Sequence, residues 1–227
     1  LESECVLWHH DDDFYFLDSV ERALTRLIAS PNAVCSQGRE LFMHAFKRVD
    51  GSLYLGMGAP GRFSYTESEP LQRLESAFTK YCHLFFAVTR RQPFIETCRR
   101  TARYFPKAGI FDQYAWSLSL LDYGTALLHD DLYALRQKHA TNHSRLINPL
   151  DNWPLLVANP MFSGIVANFW ACLAASYHPF QDDAFGRIVN SGVVSLVSRA
   201  LGLGFAPAEI EMRLAGEFRQ LDKGRLI

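Results

Sequence analysis

Residues 71–107 read LQRLESAFTKYCHLFFAVTRRQPFIETCRRTARYFPK, and the rest of the chain is interpreted around them. In residues 71–88 apolar side chains fall on several sides, which is typical of a buried central helix. After a turn at Pro93 the pattern becomes amphipathic, with apolar residues on one side and basic residues at every fourth position on the other. This stretch therefore predicts a buried helix followed by a surface helix.

The flanking sequence extends the helical pattern in both directions. Further helices are predicted over residues 14–28, 34–49, 112–140, 161–176, 184–203 and 207–221, and we expect 161–176 to be buried. The glycines of residues 51–68 predict a loop or a small hairpin, and the prolines of 142–160 predict a connector. Period-two alternation is almost absent. We therefore predict an all-α fold, a single globular domain over residues 1–227 with about eight or nine helices around a buried central helix.

Composition limits the classes of function. The chain has 227 residues, of which 48% are apolar and 21% charged, and its net charge is -1, as in an ordinary soluble globule. A protein coated with positive charge for wrapping nucleic acid is excluded, so any contact with a polyanion must be local. No apolar run is long enough to span a bilayer. Because the chain opens at Leu1 without Met, we expect it to be a domain of a longer protein.

The cysteines indicate a redox setting. Five cysteines are scattered through the chain with no CxxC pair, mostly in apolar surroundings. This odd count predicts reduced, buried thiols and an intracellular address.

A cluster of basic residues is the strongest charge asymmetry in the sequence. Its members are Arg90, Arg91, Arg99, Arg100, Arg103 and Lys107, with Glu96 as the single acid among them. One interpretation is a solvated helix face, which is common. The other is a binding site for phosphate, RNA or an acidic peptide, because guanidinium forks suit such groups and Tyr104 and Phe105 could stack a base.

The segment His129-Asp130-Asp131 offers an enzymatic alternative. A metal-dependent phosphohydrolase centred on His129 and Asp130 would need a further His and a distant Asp to hold its metal. The candidates for these are His83, Asp182 and Asp183. A chance His-Asp pair and exposed acids on a helix explain the segment equally well.

No other pattern points to catalysis. Residues 56–61 are rich in glycine but lack the Lys-Ser/Thr of a phosphate-binding loop. His139 and His143 are four residues apart, but no carboxylate or cysteine at metal spacing accompanies them, so we interpret them as solvent-facing. The sequence therefore predicts no enzyme, no cofactor, no metal and no catalytic residue.

An ordered set of short segments carries a family resemblance over most of the chain. The segments are residues 20–24, 81–88, 93–94, 99–100, 103–104, 109–111, 165–175, 192–197 and 200–202. Together they resemble the C-terminal domain of the alphaherpesvirus tegument protein family UL-twenty-one. The resemblance implies an all-helical, non-enzymatic adaptor of the virion tegument, present in host cytoplasm and nucleus, that supports virion assembly, nuclear egress and cell-to-cell spread. It also implies binding to other tegument proteins, notably the UL-sixteen partner, and to RNA, without direct membrane insertion.

Overall fold

Two long strands decide the architecture. The computed structural model describes residues 3–9, 13–47, 53–58, 63–106, 110–138, 160–180 and 182–200. In these residues six α-helices accompany a six-stranded mixed sheet, so the protein is an α/β protein. The prediction of an all-α fold is therefore wrong.

Strands and helices are interspersed along the chain. The strands are β1 (Cys5–Leu7), β2 (Asp13–Tyr15), β3 (Ala33–Lys47), β4 (Leu53–Gly58), β5 (Val88–Arg90) and β6 (Thr125–Lys138). The helices are α1 (Leu17–Ala29), α2 (Pro70–Thr79), α3 (Arg91–Tyr104), α4 (Ile110–Leu120), α5 (Phe162–Ser176) and α6 (Asp183–Ala200). A single 3-10 turn, His178–Phe180, separates α5 from α6.

β3 lies at the centre of the sheet, whose order is β1-β5-β3-β6-β2. β6 runs parallel to β3 from the Ala33–Thr125 pair to the His44–Lys138 pair. On the other edge, β5 pairs antiparallel with the start of β3 and β4 pairs antiparallel with its end. β1 and β2 complete the sheet as antiparallel neighbours of β5 and β6.

β3 occupies the position of the helix predicted over residues 34–49, and β6 that of the second half of 112–140. Their apolar residues come in adjacent pairs, such as Leu127-Leu128, which imitate one face of a helix. The pairs arise because both faces of the sheet are covered: Leu127 packs against one core and Leu128 against the other. A strand buried on both faces loses the alternation by which strands are recognised.

The two cores differ in size. The smaller one lies under α1, where Ala23 and Leu27 pack with Val88 and Tyr133 of the sheet. The larger one is built by α2, α4, α5 and α6, and its buried residues include Trp116. Burial of this apolar area, at about 25 cal/mol per Å², is the main force that holds the helices on the sheet.

A buried ionic cluster joins β2, β6 and β3. The Arg136 guanidinium lies 3.9 Å from the centroid of the Phe86 ring. It contacts Asp13 Oδ2 at 3.2 Å and Glu40 Oε2 at 3.4 Å, and both carboxylate side chains are only 3% exposed. Because buried charges are costly when unpaired, these contacts favour one register of the three strands.

The predicted central helix over residues 71–88 is shorter than expected. α2 ends at Thr79, and the chain then crosses to β5 without helical structure. The Tyr65 hydroxyl donates to the Lys80 carbonyl at 2.7 Å and accepts from the Cys82 N–H at 2.6 Å. A side chain distant in sequence thus satisfies backbone groups that a longer helix would have paired.

Other predictions of secondary structure are confirmed only in part. α1, α5 and α6 lie where helices were expected. β4 pairs with β3, which lies before residues 51–68, so neither the long loop nor the small hairpin predicted within that range is correct. α5 is buried mainly in its second half, so its predicted burial holds only there. The helix predicted over 207–221 lies outside the described residues, as does the connector 142–160 except for Pro160. The single domain over residues 1–227 stays a prediction.

The cysteine prediction is confirmed as far as the thiols are concerned. All five cysteines are free, with Cys35, Cys82 and Cys172 buried and Cys5 and Cys98 half-buried. In the described part of the chain, no helix is both long enough and apolar enough to cross a bilayer.

Candidate polyanion-binding surface

α3 carries most of the basic residues that the sequence singled out. It begins where β5 ends, so Arg90 is the last strand residue and Arg91 the first helical one. Thr97 and Thr101 are buried, and Phe94 packs against the larger core. With this inner side fixed, the opposite side of the helix faces solvent.

Arg90 does not face solvent with the others. Its guanidinium donates to the carbonyl oxygens of Ala33 at 2.8 Å, Leu27 at 2.9 Å and Ser30 at 3.2 Å. The carbonyls of Leu27 and Ser30 lie at the C-terminal end of α1, where helical acceptors run out of partners. Arg90 therefore stabilises the turn between α1 and β3 and is occupied within the protein.

Arg100 is half-buried and turned toward Tyr123. Its Nη2 donates to the Tyr123 hydroxyl at 3.0 Å, and its guanidinium lies 5.6 Å from the centroid of that ring. Burial raises the pKa of the neighbouring Asp122 carboxyl to about 6, and the charges of Arg100 and Arg73 oppose this rise. Arg100 thus compensates a partly buried acid, which is a structural role.

Arg91, Arg99 and Arg103 are exposed, and we call these three residues the α3 arginine strip. At 3.6 residues per turn, their positions fall within about 120° around the helix axis. No salt bridge joins any of them to an acid among the residues that the structure describes. Lys107, the sixth residue of the predicted cluster, lies outside the described residues.

Glu96 is the single acid on α3, and its oxygens already have partners. Gln92 donates to Oε1 at 2.6 Å and the Tyr123 hydroxyl donates to Oε2 at 2.8 Å. These two hydrogen bonds are the main reasons that the pKa of Glu96 is lowered, with smaller contributions from Arg100 and Arg99. The helix therefore has an excess of positive charge, and both oxygens of Glu96 already accept hydrogen bonds.

The aromatic part of the site differs from the prediction. Tyr104 and Phe105, expected to stack a base, pack against the larger core instead. An exposed ring beside α3 belongs to Trp8, which is 47% exposed and whose centroid lies 6.1 Å from that of Phe94. Trp8 could not be recognised from the sequence, because only the pairing of β1 with β5 brings it next to α3 and no local pattern reveals that pairing.

The His129 segment carries an arrangement unfavourable to a cation. Asp131 Oδ2 accepts from Arg22 Nε at 3.0 Å and from Arg26 Nη1 at 3.1 Å, and it lies 3.1 Å from His129 Nδ1. Burial first, and then the charge of Arg26, lowers the pKa of His129. Two guanidinium groups on the shared carboxylate would repel a metal ion. Asp130 is exposed and lies where the register of β6 with β3 shifts, between Leu128 and Leu132.

The other residues of the metal hypothesis lie elsewhere. His83 is surrounded by the rings of Tyr81, Phe85 and Phe86. Asp182 accepts from the Phe185 N–H at 2.9 Å, a capping bond at the start of α6. No group of three candidate ligands occurs in the described residues, and His139 and His143 lie outside them.

No family model, curated protein or solved structure matches this chain. The all-helical fold implied by the resemblance to the UL-twenty-one family is wrong, because β3 and β6 form a sheet. The tegument partners, the virion, cytoplasmic and nuclear locations, and the absence of enzymatic activity stay predictions from the sequence.

Proposed function

We propose that this chain is a non-enzymatic adaptor domain that binds RNA through its phosphates, using the α3 arginine strip. The observation that carries the proposal is that Arg91, Arg99 and Arg103 are exposed on one side of a helix without a salt bridge among the described residues. On a merely solubilising face, acids and bases usually alternate so that the charges compensate one another.

The chemistry of the strip favours phosphate. A guanidinium presents a planar fork of donors that matches phosphate oxygens, and each residue of the strip carries one. The net charge of the chain is only -1, so its overall field neither attracts nor strongly repels a polyanion. Binding would therefore depend on this local surface.

The phosphate-binding part of the proposal does not depend on the family resemblance, whereas the adaptor role does. The tegument partner proteins, UL-sixteen included, and the virion location rest on that resemblance alone. RNA binding rests on three exposed side chains, and it would hold for an adaptor of any origin.

Charge reversal tests the proposal. We expect Arg99→Glu to weaken binding of the chain to RNA at least several-fold, and the triple variant R91E/R99E/R103E to abolish it, as measured by fluorescence anisotropy with labelled RNA. Because the three side chains are exposed, the melting temperature should change little. The matched control is Arg187→Glu, which reverses an exposed arginine on α6. Unchanged binding in the triple variant, or equal loss in the control, would contradict the proposal.

A further inference from the structure

We infer that the RNA bound by the α3 arginine strip is single-stranded, and that Trp8 stacks on one of its bases. This inference rests on the proposed function and makes it more specific. It adds a residue from outside α3 and a class of ligand that the arginines alone do not define.

Trp8 is an exposed ring on a rigid support. Its centroid lies 5.6 Å from that of Phe85 and 6.1 Å from that of Phe94, with an angle of 30° between the planes of Trp8 and Phe94. Behind them, the Trp116 ring lies 5.1 Å from Phe85 and 5.6 Å from Phe94, and Trp116 is buried. The indole is thus supported from inside by packed rings while 47% of the residue stays open to solvent.

The backbone places Trp8 beside the first turn of α3, on the side of Phe94, whereas Glu4 lies next to the Arg91 backbone. β1 pairs with β5 from Cys5–Arg90 to Leu7–Val88, and the Arg91 N–H donates to the Glu4 carbonyl at 2.9 Å. Trp8 follows β1 directly, and its neighbour Phe94 lies in the first turn of α3. An aromatic ring therefore stands beside the N-terminal end of α3, where the strip begins with Arg91.

The strip continues from there along the helix. From Arg91 to Arg103 the rise is about 18 Å at 1.5 Å per residue. Seen from the Phe94 side, where Trp8 lies, Arg91, Arg99 and Arg103 are turned by about 60°, 140° and 180° around the helix axis. A chain of nucleotides that contacts the ring and all three guanidinium groups therefore winds around α3 as it follows the helix. Positive grooves combined with stacking platforms are how proteins bind single-stranded nucleic acid, because every base has a face that can stack.

The exposed Trp8 ring favours single-stranded RNA over duplex RNA as the ligand. In a duplex the bases are stacked on each other and paired, so an indole on the protein surface has no free base to contact. A surface built for duplex RNA needs only contacts with phosphates and sugars. An exposed ring at the end of an arginine strip is useful when the bases are unstacked.

The test compares ligands with and without bases. The probes are a labelled single-stranded oligouridine, a duplex RNA of equal length, and heparin, a sulfated polysaccharide without bases. We expect Trp8→Ala to weaken binding of oligouridine about tenfold, because stacking on one base contributes about that factor, and to leave heparin binding unchanged. The matched control is Trp170→Ala, which removes a 36% exposed tryptophan whose ring contacts Phe185 of α6.

A second variant separates loss of stacking from loss of the fold. Trp8→Phe keeps an aromatic ring on Phe94, so it should retain most of the affinity for oligouridine, while the fluorescence quenching that RNA causes in the original chain should be lost. No loss of oligouridine binding in Trp8→Ala, equal loss for heparin, or tighter binding of the duplex would overturn the stacking role. Retained binding of oligouridine and heparin by R91E/R99E/R103E would instead overturn the proposed function. Binding of a protein partner but not RNA through Trp8 would overturn both.

Discussion

Arg90 and Arg91 are adjacent in sequence but differ in their roles. Arg90 donates three hydrogen bonds to carbonyls of the turn between α1 and β3, whereas the side chain of Arg91 is exposed. Hydrogen bonds from a charged donor contribute more to stability than neutral ones. The carbonyls of Leu27 and Ser30 also accept from backbone N–H groups, so they would keep one partner without Arg90. Within one dipeptide, Arg90 therefore has a structural role, and Arg91 is exposed and available for the proposed binding of RNA.

Substitution of each arginine by alanine should show this difference. We expect Arg90→Ala to lower the free energy of unfolding by about 2 kcal/mol and Arg91→Ala by less than about 0.5 kcal/mol, as measured by urea denaturation. RNA affinity should follow the opposite order once both proteins are measured in their folded state. Equal stability of the two variants would show that the carbonyl contacts of Arg90 contribute nothing.

Asp122 predicts a pH dependence of stability. Its folded-state pKa of about 6 lies above its usual value of 3.8 because of burial. The folded state therefore holds a proton that the unfolded state releases between these two pH values. The stabilisation from this group is complete below pH 3.8 and is lost as the pH rises through 6.

Asp122→Asn removes this titration. At pH 7.5 we expect the variant to be more stable than the original chain by about 1 kcal/mol, well below the about 3 kcal/mol of a full two-unit shift, because part of the carboxyl is exposed to solvent. At pH 4 the two proteins should differ little. Thermal melting at both pH values measures the effect, and a variant that is less stable at pH 7.5 would reverse the assigned sign.

At the scale of elements, Gly38 distinguishes the strand β3 from the helix that the sequence suggested. A Cβ at Gly38 would lie 2.6 Å from the Asp131 carbonyl oxygen and 2.6 Å from the Tyr133 Cβ of β6. Neither backbone nor Cβ atoms can give way without moving the strand. In an exposed helix, by contrast, alanine would be more stable than glycine by up to about 1 kcal/mol.

Gly38→Ala should therefore destabilise the protein by about 1–3 kcal/mol, as overpacked sites do. The matched control is Gly186→Ala in α6, where a Cβ would meet nothing within 4 Å. That substitution should stabilise by about 0.5–1 kcal/mol. The two signs, read from chemical denaturation, test the strand assignment, and stabilisation by Gly38→Ala would favour the helix.

The helices could be predicted from sequence better than the strands. α1 and α6 bury one side, so their 3.6-residue period survives in the sequence. α5 is apolar on nearly all sides over its 15 residues, and an apolar run of that length favours a helix over a strand. β3 and β6 contain many good helix formers and are covered on both faces, so neither residue preference nor alternation indicates a strand. Their pairing joins residues some 90 positions apart, and such long-range contacts leave no local signal.

The candidate site could be located but not resolved from sequence. The charge cluster pointed to the helix α3, and the amphipathic period of α3 agrees with exposure of Arg91, Arg99 and Arg103. The inward roles of Arg90 and Arg100 depend on acceptors distant in the chain, the α1 carbonyls and Tyr123. These partners exist only once the sheet has formed.

At the scale of the whole molecule, the account assigns RNA binding to a small part of a nearly neutral protein. With a net charge of -1, the chain has no general attraction for a polyanion. Each phosphate that an arginine neutralises releases a counterion, so binding weakens as salt rises. For single-stranded nucleic acid, the slope of log affinity against log salt is about -0.7 per neutralised phosphate.

The salt dependence of oligouridine binding measures how many phosphates the α3 arginine strip neutralises. The original chain is compared with R91Q/R99Q/R103Q, in which three charges are removed but no acid is added. If each arginine of the α3 strip contacts one phosphate, the slope should become shallower by about 2. A slope that stays the same in the variant would show that the phosphates are bound elsewhere and would contradict the account.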